Sequence, residues 1–237
     1  MLEAVLFDGG DTLVGWAWDE RLLELGHDSG LRALGREPSP ELTARFRAGY
    51  LPLLQGREEL DEIDYPALVR RLLGELGIEP TTEELDRFLA AEHEAWAPAR
   101  RVGDGVLGLL DALRARGLKL GLVSNSFDPA WLVRGDLEAW GLAGRLDVVV
   151  LSSEIGKRKP HPEPFERALR ELGVDPGHAL FVGDSRYHDV EGAAALGMAT
   201  VQALWFRTDG DRRGRDPDHV ATAPEGVLAI VDAVATT

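Results

Sequence analysis

The 237-residue sequence contains no cysteine and only three lysines, against 41 acidic residues. The absence of cysteine excludes disulfide bonds, thiolate metal ligands and a cysteine nucleophile, and it fits a reducing compartment. The formal net charge of −15 excludes nucleic acid and anionic membrane surfaces as expected partners, because both would be repelled. A phosphorylated ligand would be repelled as well, unless a metal ion or local basic groups offset this field.

Long apolar runs are also absent, so the sequence predicts no membrane span. The segment Met1–Asp8 lacks the basic start and the apolar run of a signal peptide. We therefore expect a cytoplasmic protein. Hydrophobic residues make up 44% of the chain, which is enough for a sizeable globular core. The sequence does not indicate an oligomeric state.

Four short apolar runs, each followed by polar or glycine residues, predict buried strands. The runs are Leu2–Phe7, Leu118–Val123, Asp147–Leu151 and Ala179–Val182. Amphipathic segments of helical period separate or follow them, the clearest being Val106–Arg116, Pro162–Leu172 and Asp189–Leu196. This alternation predicts an α/β fold, a doubly wound and mostly parallel sheet that binds ligands at the carboxyl ends of its strands.

The alternation is missing between about Trp16 and Pro98, where the sequence predicts helices instead. Pro80–Glu83 has the pattern of a helix start. We therefore predict a helical domain at residues 16–98, inserted into a catalytic core formed by residues 1–15 and 99–237.

Polar side chains at the ends of separate parallel strands converge, so Asp8, the pair Ser124–Asn125 and Asp184 are expected to share one pocket. Two carboxylates that meet there need a cation between them, and carboxylate oxygens favour a hard ion such as Mg²⁺. Lys159 can add a point charge that pairs with Asp8 and with phosphoryl oxygens.

Four sequence blocks, in this order, resemble the motifs of the haloacid dehalogenase superfamily of phosphotransferases. They are Phe7–Leu13, Val123–Asn125, Lys159–Pro160 and Gly183–Asp189. A single short motif of this kind is a weak indicator, whereas four in register are a strong one. The resemblance implies a Rossmann-like core, with the helical insert acting as a cap that closes over the site.

The resemblance also implies a role for each matching residue. Asp8 would be the nucleophile that forms an aspartyl-phosphate, and Lys159 would neutralise charge on it and on the phosphoryl oxygens. Ser124 and Asn125 would bind the phosphoryl group. Mg²⁺ would be held by Asp8, the backbone carbonyl of Gly10, Asp184 and Asp189, the last directly or through a water.

The first motif departs from the pattern of the family. Its phosphatases usually carry an aspartate two residues after the nucleophile, as the general acid and base, but this chain has Gly10 there and Asp11 one place later. Two functions therefore stay open. One is a Mg²⁺-dependent hydrolase of small phosphorylated metabolites, attenuated or rescued by Asp11; the other is a catalytically weak phosphate-binding or regulatory module.

Two further features have less distinct interpretations. His188 lies inside the fourth motif, where it could touch substrate. A late segment, residues 209–218, interleaves arginines with aspartates. Its arginines have the pattern of a phosphate-binding patch, but the aspartates around them favour a solvated loop whose charges pair with one another. Its charged residues are Arg212, Arg213, Arg215, Asp209, Asp211, Asp216 and Asp218.

Overall fold

The computed structural model describes residues 1–17, 19–54, 59–207 and 212–235. The chain divides into two compact units: unit 1 comprises Met1–Gly15, Leu60–Glu62 and Val102–Thr237, and unit 2 comprises Trp16–Glu59 and Ile63–Arg101. The sequence prediction placed residues 16–98 in the insert. The division differs in extending unit 2 to Arg101 and in assigning three residues from the middle of the insert to unit 1.

Unit 1 contains a six-stranded sheet in the order β5-β4-β1-β6-β7-β8, and every neighbouring pair is parallel. The strands in the described ranges are β1 (Ala4–Phe7), β2 (Val14–Trp16), β3 (Arg100–Val102), β4 (Lys119–Ser124), β5 (Val148–Leu151), β6 (Ala179–Gly183), β7 (Ala199–Ala203) and β8 (His219–Ala221). Strands β2 and β3 pair in a separate small sheet. The predicted fold class, an α/β doubly wound parallel sheet, is confirmed.

The helices of unit 2 are α1 (Glu20–Ala33), α2 (Pro40–Leu54), α3 (Tyr65–Glu75) and α4 (Thr82–Ala95). Those of unit 1 are α5 (Val106–Ala115), α6 (Ala130–Ala139), α7 (Ser152–Ile155), α8 (Pro162–Leu172), α9 (Gly192–Ala195) and α10 (Pro224–Ala235). Among the helices within the described ranges, none is long and apolar enough to cross a membrane.

Strand β1 is buried on both faces, with every side chain fully inaccessible to solvent. Val5 and Phe7 belong to a hydrophobic cluster that includes Leu109 of α5, whereas Leu6 belongs to a second cluster that includes Phe165 of α8. Successive side chains of a strand point to opposite faces, so both layers of helices fix its register. The residue that follows β1, Asp8, is therefore held at a defined position.

In unit 2, local capping explains where two of the helices begin. The Asp19 side chain accepts a hydrogen bond from Arg21 N at the start of α1. At the start of α4, Thr81 and Glu84 form a reciprocal capping box, as the Pro80–Glu83 pattern predicts. The core of this unit also buries a polar contact, in which His27 Nδ1 lies 2.6 Å from Glu92 Oε1.

The segment after β6 differs from the regular helix predicted at Asp189–Leu196. A π-helix spans Arg186–Glu191 and continues into the short helix α9. Its first turn is closed by Ser185, whose hydroxyl accepts a hydrogen bond from His188 N and whose N–H donates to Asp189 Oδ2 at 3.0 Å. The second bond holds the Asp189 carboxylate against the backbone just after β6. Such π-turns are frequent at functional sites.

Candidate active site

Three strand ends bring the predicted site residues together at one edge of the sheet. Strand β1 lies between β4 and β6, and Phe7 is paired with a residue in each of them. Asp8 directly follows β1, and its N–H donates to Val182 O of β6 at 2.9 Å. Asp184 directly follows β6, and Ser124 is the last residue of β4. Because the chain direction of successive crossovers reverses at β1, a crevice opens at these carboxyl ends.

Lys159 is a buried ammonium group shared by two carboxylates. Its Nζ donates to Asp8 Oδ1 and to Asp189 Oδ1, each at 2.6 Å, and its side chain is only 1% exposed. Asn125 holds the lysine backbone, because Asn125 Oδ1 accepts from Lys159 N at 2.8 Å and Asn125 Nδ2 donates to Lys159 O at 3.1 Å. In this arrangement Asn125 positions the lysine.

Three carboxylates form a cluster that suits a hard cation. Asp8, Asp184 and Asp189 each place one oxygen within 4.8 Å of the others, and all three residues are buried. An all-oxygen donor set with this much negative charge fits Mg²⁺. Both oxygens of Asp189 already accept hydrogen bonds, from Lys159 Nζ and from Ser185 N, so Asp189 also orients the lysine.

Burial and mutual repulsion perturb the ionisation of the cluster. Burial, followed by the charges of Asp189, Asp8 and Asp11, raises the pKa of Asp184 to about 8, against an opposing effect of Arg207. For Asp8, burial outweighs the attraction of Lys159 and raises the pKa to about 6. Carboxyl groups whose pKa values are raised by burial and by neighbouring charges are concentrated at functional sites.

The pKa values of Lys159 and His188 shift in opposite directions. Burial alone would lower the pKa of Lys159, but the two adjacent carboxylates raise it above the usual value, so the ammonium form is retained. Burial lowers the pKa of His188. The imidazole is therefore neutral at neutral pH, and His188 Nδ1 lies 3.0 Å from Lys159 O. Because a carbonyl accepts but does not donate, Nδ1 carries the proton and Nε2 keeps a lone pair.

The raised pKa values predict an unusual dependence of stability on pH. Asp184 and Asp8 bind protons in the folded protein up to about pH 8 and about pH 6, whereas the usual value for both is 3.8. Their contribution is complete below that value and is lost as the pH rises through the folded pKa values. We expect the free energy of unfolding without metal to fall over this range, by up to about 1.4 kcal/mol per pH unit for each excess proton.

Mg²⁺ should reverse this trend, because the ion competes with protons for the same oxygens and binds more tightly as the pH rises. Urea unfolding in EDTA and in Mg²⁺, between about pH 5 and about pH 8.5, measures both effects. Asp184→Asn should flatten the slope in EDTA and weaken the stabilisation by Mg²⁺. A free energy of unfolding in EDTA that rises with pH over this range would contradict the raised pKa values of Asp8 and Asp184.

The first motif places Asp11, and not Gly10, as the second carboxylate near Asp8. Gly10 lines the cavity and has no side chain to offer. Asp11 has φ of 53°, the one positive φ recorded for a non-glycine residue in the described ranges. Asp11 Oδ2 and Asp184 Oδ2 each lie 3.7 Å from Arg207 Nη1. Backbone strain of this kind concentrates at functional sites.

Ser124 lies against the turn that follows Asp8. A β-carbon built on Gly9 would come within 2.7 Å of Ser124 Oγ, so the missing side chain of Gly9 is what allows the two segments to approach. Gly183 has the same role on the other side of β1, since a β-carbon there would come within 2.4 Å of the Asp189 carboxylate. Larger residues at either position would displace a predicted site residue.

A cavity of about 570 Å³ contains most of these groups. Its lining residues are Asp8, Gly10, Asp11, Asn125, Arg158, Lys159, Asp184, Ser185, His188, Asp189, Arg207, Arg212 and Arg213. Every predicted site residue except Ser124 is among them. The sequence analysis missed Arg158 and Arg207, because no motif includes either residue, and it assigned Arg212 and Arg213 to a solvated loop. It also missed Gln202 of β7, which donates to Asp184 O at 3.0 Å.

The predicted self-paired loop needs correction. Arg212 and Arg213 are exposed but line the cavity, and Asp216 pairs with Arg186, outside the segment. Within the segment, Arg215 lies 4.0 Å from Asp218. Asp209 and Asp211 lie outside the described residues.

Comparisons with known proteins identify the family of the chain. The family model for haloacid dehalogenase-like hydrolases matches residues 2–197. A glyceraldehyde 3-phosphate phosphatase from Methanopyrus kandleri is 30% identical, over 98% of this chain and 97% of its own length. The pyrophosphatase PpaX from Bacillus pumilus is 30% identical, over 78% of this chain and 84% of its own length.

A solved structure, that of a HAD phosphatase from Thermococcus onnurineus, superposes with a TM-score of 0.67 at 27% identity. The match covers 97% of this chain and 98% of that one. The family predicted from the four motifs is thus confirmed: this chain belongs to the haloacid dehalogenase-like hydrolases.

Proposed function

We propose that the protein is a Mg²⁺-dependent phosphatase of small phosphomonoesters that works through an aspartyl-phosphate on Asp8. The observation that carries the proposal is the buried Asp8 carboxylate, 2.6 Å from the ammonium of Lys159 and clustered with Asp184 and Asp189. Relatives named as phosphatases support the same reaction class. The helical insert, residues 16–98, is proposed to act as the cap.

The reaction divides into two displacements at phosphorus. A carboxylate oxygen of Asp8 attacks, the bond from phosphorus to the leaving oxygen breaks, and an aspartyl-phosphate forms. Water then attacks the same phosphorus, which releases inorganic phosphate and restores the carboxylate. Lys159 stays protonated throughout and offsets negative charge on Asp8 and on the phosphoryl oxygens.

The metal would be held by Asp8, Asp184 and the backbone carbonyl of Gly10, with Asp189 binding directly or through a water. When bound, Mg²⁺ would supply positive charge that neutralises the phosphoryl oxygens and orients them. Ser124 and Asn125 are proposed to support the phosphoryl group, Asn125 chiefly through its two hydrogen bonds to the backbone of Lys159.

Asp11 is proposed to carry the proton that Gly10 cannot. Its carboxyl group lines the cavity, is 24% exposed and contributes to the raised pKa of Asp184. It would protonate the leaving oxygen in the first step and accept a proton from the attacking water in the second.

We expect Asp11→Asn to slow hydrolysis of alkyl phosphates, whose leaving groups need protonation, by about 10²-fold. Acetyl phosphate and p-nitrophenyl phosphate have good leaving groups, so their transfer of the phosphoryl group to Asp8 should be much less affected. Single-turnover rates of this first step on both classes measure the difference. If Asp11→Asn leaves alkyl phosphate turnover intact while His188→Gln lowers it, His188 is the proton carrier and the assignment to Asp11 is wrong.

The proposed function is tested with p-nitrophenyl phosphate and acetyl phosphate, in Mg²⁺ and in EDTA. We expect turnover that needs the metal, together with acid-stable ³²P label on the protein after rapid quenching with a labelled substrate. The Asp8→Asn protein supplies the background. Turnover no higher than this background, on these esters and on a panel of phosphorylated metabolites, would instead favour the phosphate-binding module that the missing side chain of Gly10 leaves open.

A further inference from the structure

The segment that follows β7, residues 205–207, lies against the turn that carries Asp11. Trp205 Nε1 donates to Thr12 O at 2.8 Å, which is the carbonyl of the residue directly after Asp11. Arg207 Nη1 lies 3.7 Å from Asp11 Oδ2. Strand β7 is separated from β1 by β6. The turn of the first motif is therefore supported by a strand end that lies two places away in the sheet.

The ring of Phe206 fills the space that the side chains of two other residues would need. A β-carbon built on Gly15 would overlap Phe206 Cε1, and one built on Gly103 would come within 2.9 Å of Phe206 Cζ. Neither glycine has a positive φ, so close packing, and not backbone conformation, requires glycine at both positions. Gly103 N also donates to Leu13 O at 3.0 Å. Phe206 thus packs against both segments that meet in the small sheet of β2 and β3.

The turn that these contacts support has a strained backbone. Asp11 has φ of 53°, and a non-glycine residue keeps such a conformation only where its surroundings impose it. Asp11 N donates to Val14 O at 2.8 Å, which attaches Asp11 to the start of β2. The hydrogen bond to Thr12 O and the ring packed on Gly15 act on the residues between and beside these two. Loss of the ring would remove support from the strained turn, and Asp11 would move as the turn relaxes.

We propose that Phe206, together with Trp205, is a positioning residue for Asp11 and holds the carboxyl group where it can reach the leaving oxygen. This inference rests on the proposed function, in which Asp11 carries the proton. Groups that transfer protons must be fixed by neighbouring side chains to within a fraction of an ångström. Phe206 does not line the cavity, so its effect passes through the turn and not through contact with the substrate.

The first test compares leaving groups in the Phe206→Ala protein. Displacement of a reacting group by about 1 Å can cost up to about 10²-fold in rate, so we expect phosphoryl transfer from an alkyl phosphate such as ethyl phosphate to slow by about tenfold or more. Transfer from p-nitrophenyl phosphate, whose leaving group needs no proton, should change by less than about threefold. Single-turnover rates in Mg²⁺ measure both. Phe206→Leu keeps part of the ring volume and should lie between Phe206→Ala and the wild type.

A double-mutant cycle distinguishes positioning from a general loss of packing. If Phe206 acts through Asp11, adding Phe206→Ala to Asp11→Asn should cause little further loss on the alkyl phosphate. Trp140→Leu is the matched control, because Trp140 is a half-buried aromatic residue that packs against the core of unit 1 and does not line the cavity. This control should keep the wild-type ratio of the two substrates.

Gly15→Ala supplies a second variant, which keeps the proposal testable if Phe206→Ala does not fold. Its β-carbon would overlap the Phe206 ring and should displace the turn, with the same selective loss on the alkyl phosphate. Combining Gly15→Ala with Phe206→Leu should relieve part of the overlap, so the pair should lose less than the product of the single losses. Thermal unfolding checks that each variant is folded.

The outcomes separate this inference from the function on which it rests. Equal losses on both substrates, independent losses in the cycle with Asp11→Asn, or wild-type turnover of p-nitrophenyl phosphate with no alkyl phosphate accepted each overturn the positioning role and leave the phosphatase intact. A failure of the wild-type protein to hydrolyse any of these esters above the Asp8→Asn background overturns both.

Discussion

Asp8→Asn is expected to reduce the turnover of every phosphate ester by roughly 10⁴- to 10⁶-fold, the loss typical when a covalent nucleophile is removed. Asparagine has nearly the shape of aspartate, but its amide does not attack phosphorus. The surrounding groups remain, since Lys159 still has Asp189 within 2.6 Å. The variant should therefore fold and should still bind inorganic phosphate and Mg²⁺, with weakened affinity for the ion.

The measurement is a steady-state assay with p-nitrophenyl phosphate, paired with ³²P labelling after an acid quench. Asp104→Asn, an exposed aspartate of unit 1 outside the cavity lining, controls for the loss of one negative charge and should be close to wild type. Covalent label on the Asp8→Asn protein, or a loss of less than about tenfold, would show that another group attacks phosphorus.

Lys159→Met should have the second largest effect, and it should act on both catalysis and stability. Removing the donor that faces the transferred group is expected to lower kcat by about 10³-fold. The same change leaves Asp8 and Asp189 facing each other without the ammonium that each contacts at 2.6 Å. Breaking a buried ion pair from one side typically costs about 3–5 kcal/mol of unfolding free energy.

The loss of stability should depend on pH in a defined direction. Protonation of Asp8, whose pKa is already raised to about 6, removes the repulsion, so the deficit should shrink as the pH falls and should be partly restored by Mg²⁺. Urea unfolding with and without Mg²⁺ measures this. Lys157→Met is the matched control, since Lys157 forms an exposed pair with Asp61 and should contribute at most about 1 kcal/mol. Equal effects of the two substitutions would contradict the central position of Lys159.

The sequence predicted the sheet and the site best where local pattern and global fold agree. The apolar runs that end just before Asp8 and near Asp184 predict strands that are buried on both faces. A doubly wound sheet buries its strands in this way, so the local pattern and the fold predict the same positions. Lys159 was identified through its motif, although it lies far along the chain from Asp8. The residue pattern is sufficient here because each of these positions directly follows a strand or belongs to a motif.

Positions that depend on loop geometry were beyond prediction from the sequence. Arg207 belongs to no motif, and Arg213 lies in a segment rich in glycine, arginine and aspartate, a composition equally typical of a solvated loop. Gly214, the neighbour of Arg213, approaches Arg186 tightly, which is a tertiary contact. The π-turn after β6 likewise depends on the hydrogen bonds of Ser185, which periodicity does not reveal.

The role of Asn125 shows a different limit. Its motif implied contact with the phosphoryl group, and the residue does line the cavity, yet both ends of its side chain hydrogen bond to the backbone of Lys159. A sequence motif identifies which residues act together but not which of them touches the ligand and which positions a neighbour.

The assignment of Leu60–Glu62 to unit 1 bears on how such enzymes diversify by recombination. This segment lies within the insert in the sequence, yet it forms backbone hydrogen bonds with the loop before Lys159. In one of them Arg158 N donates to Leu60 O at 2.7 Å. Glu62 packs beside Arg158 and accepts from Ser152 Oγ at 2.5 Å. Exchanging residues 16–98 for the insert of another family member would therefore remove contacts that support the loop before Lys159. Insert and core are not freely interchangeable modules, and successful chimaeras should be those that retain an acidic residue at position 62.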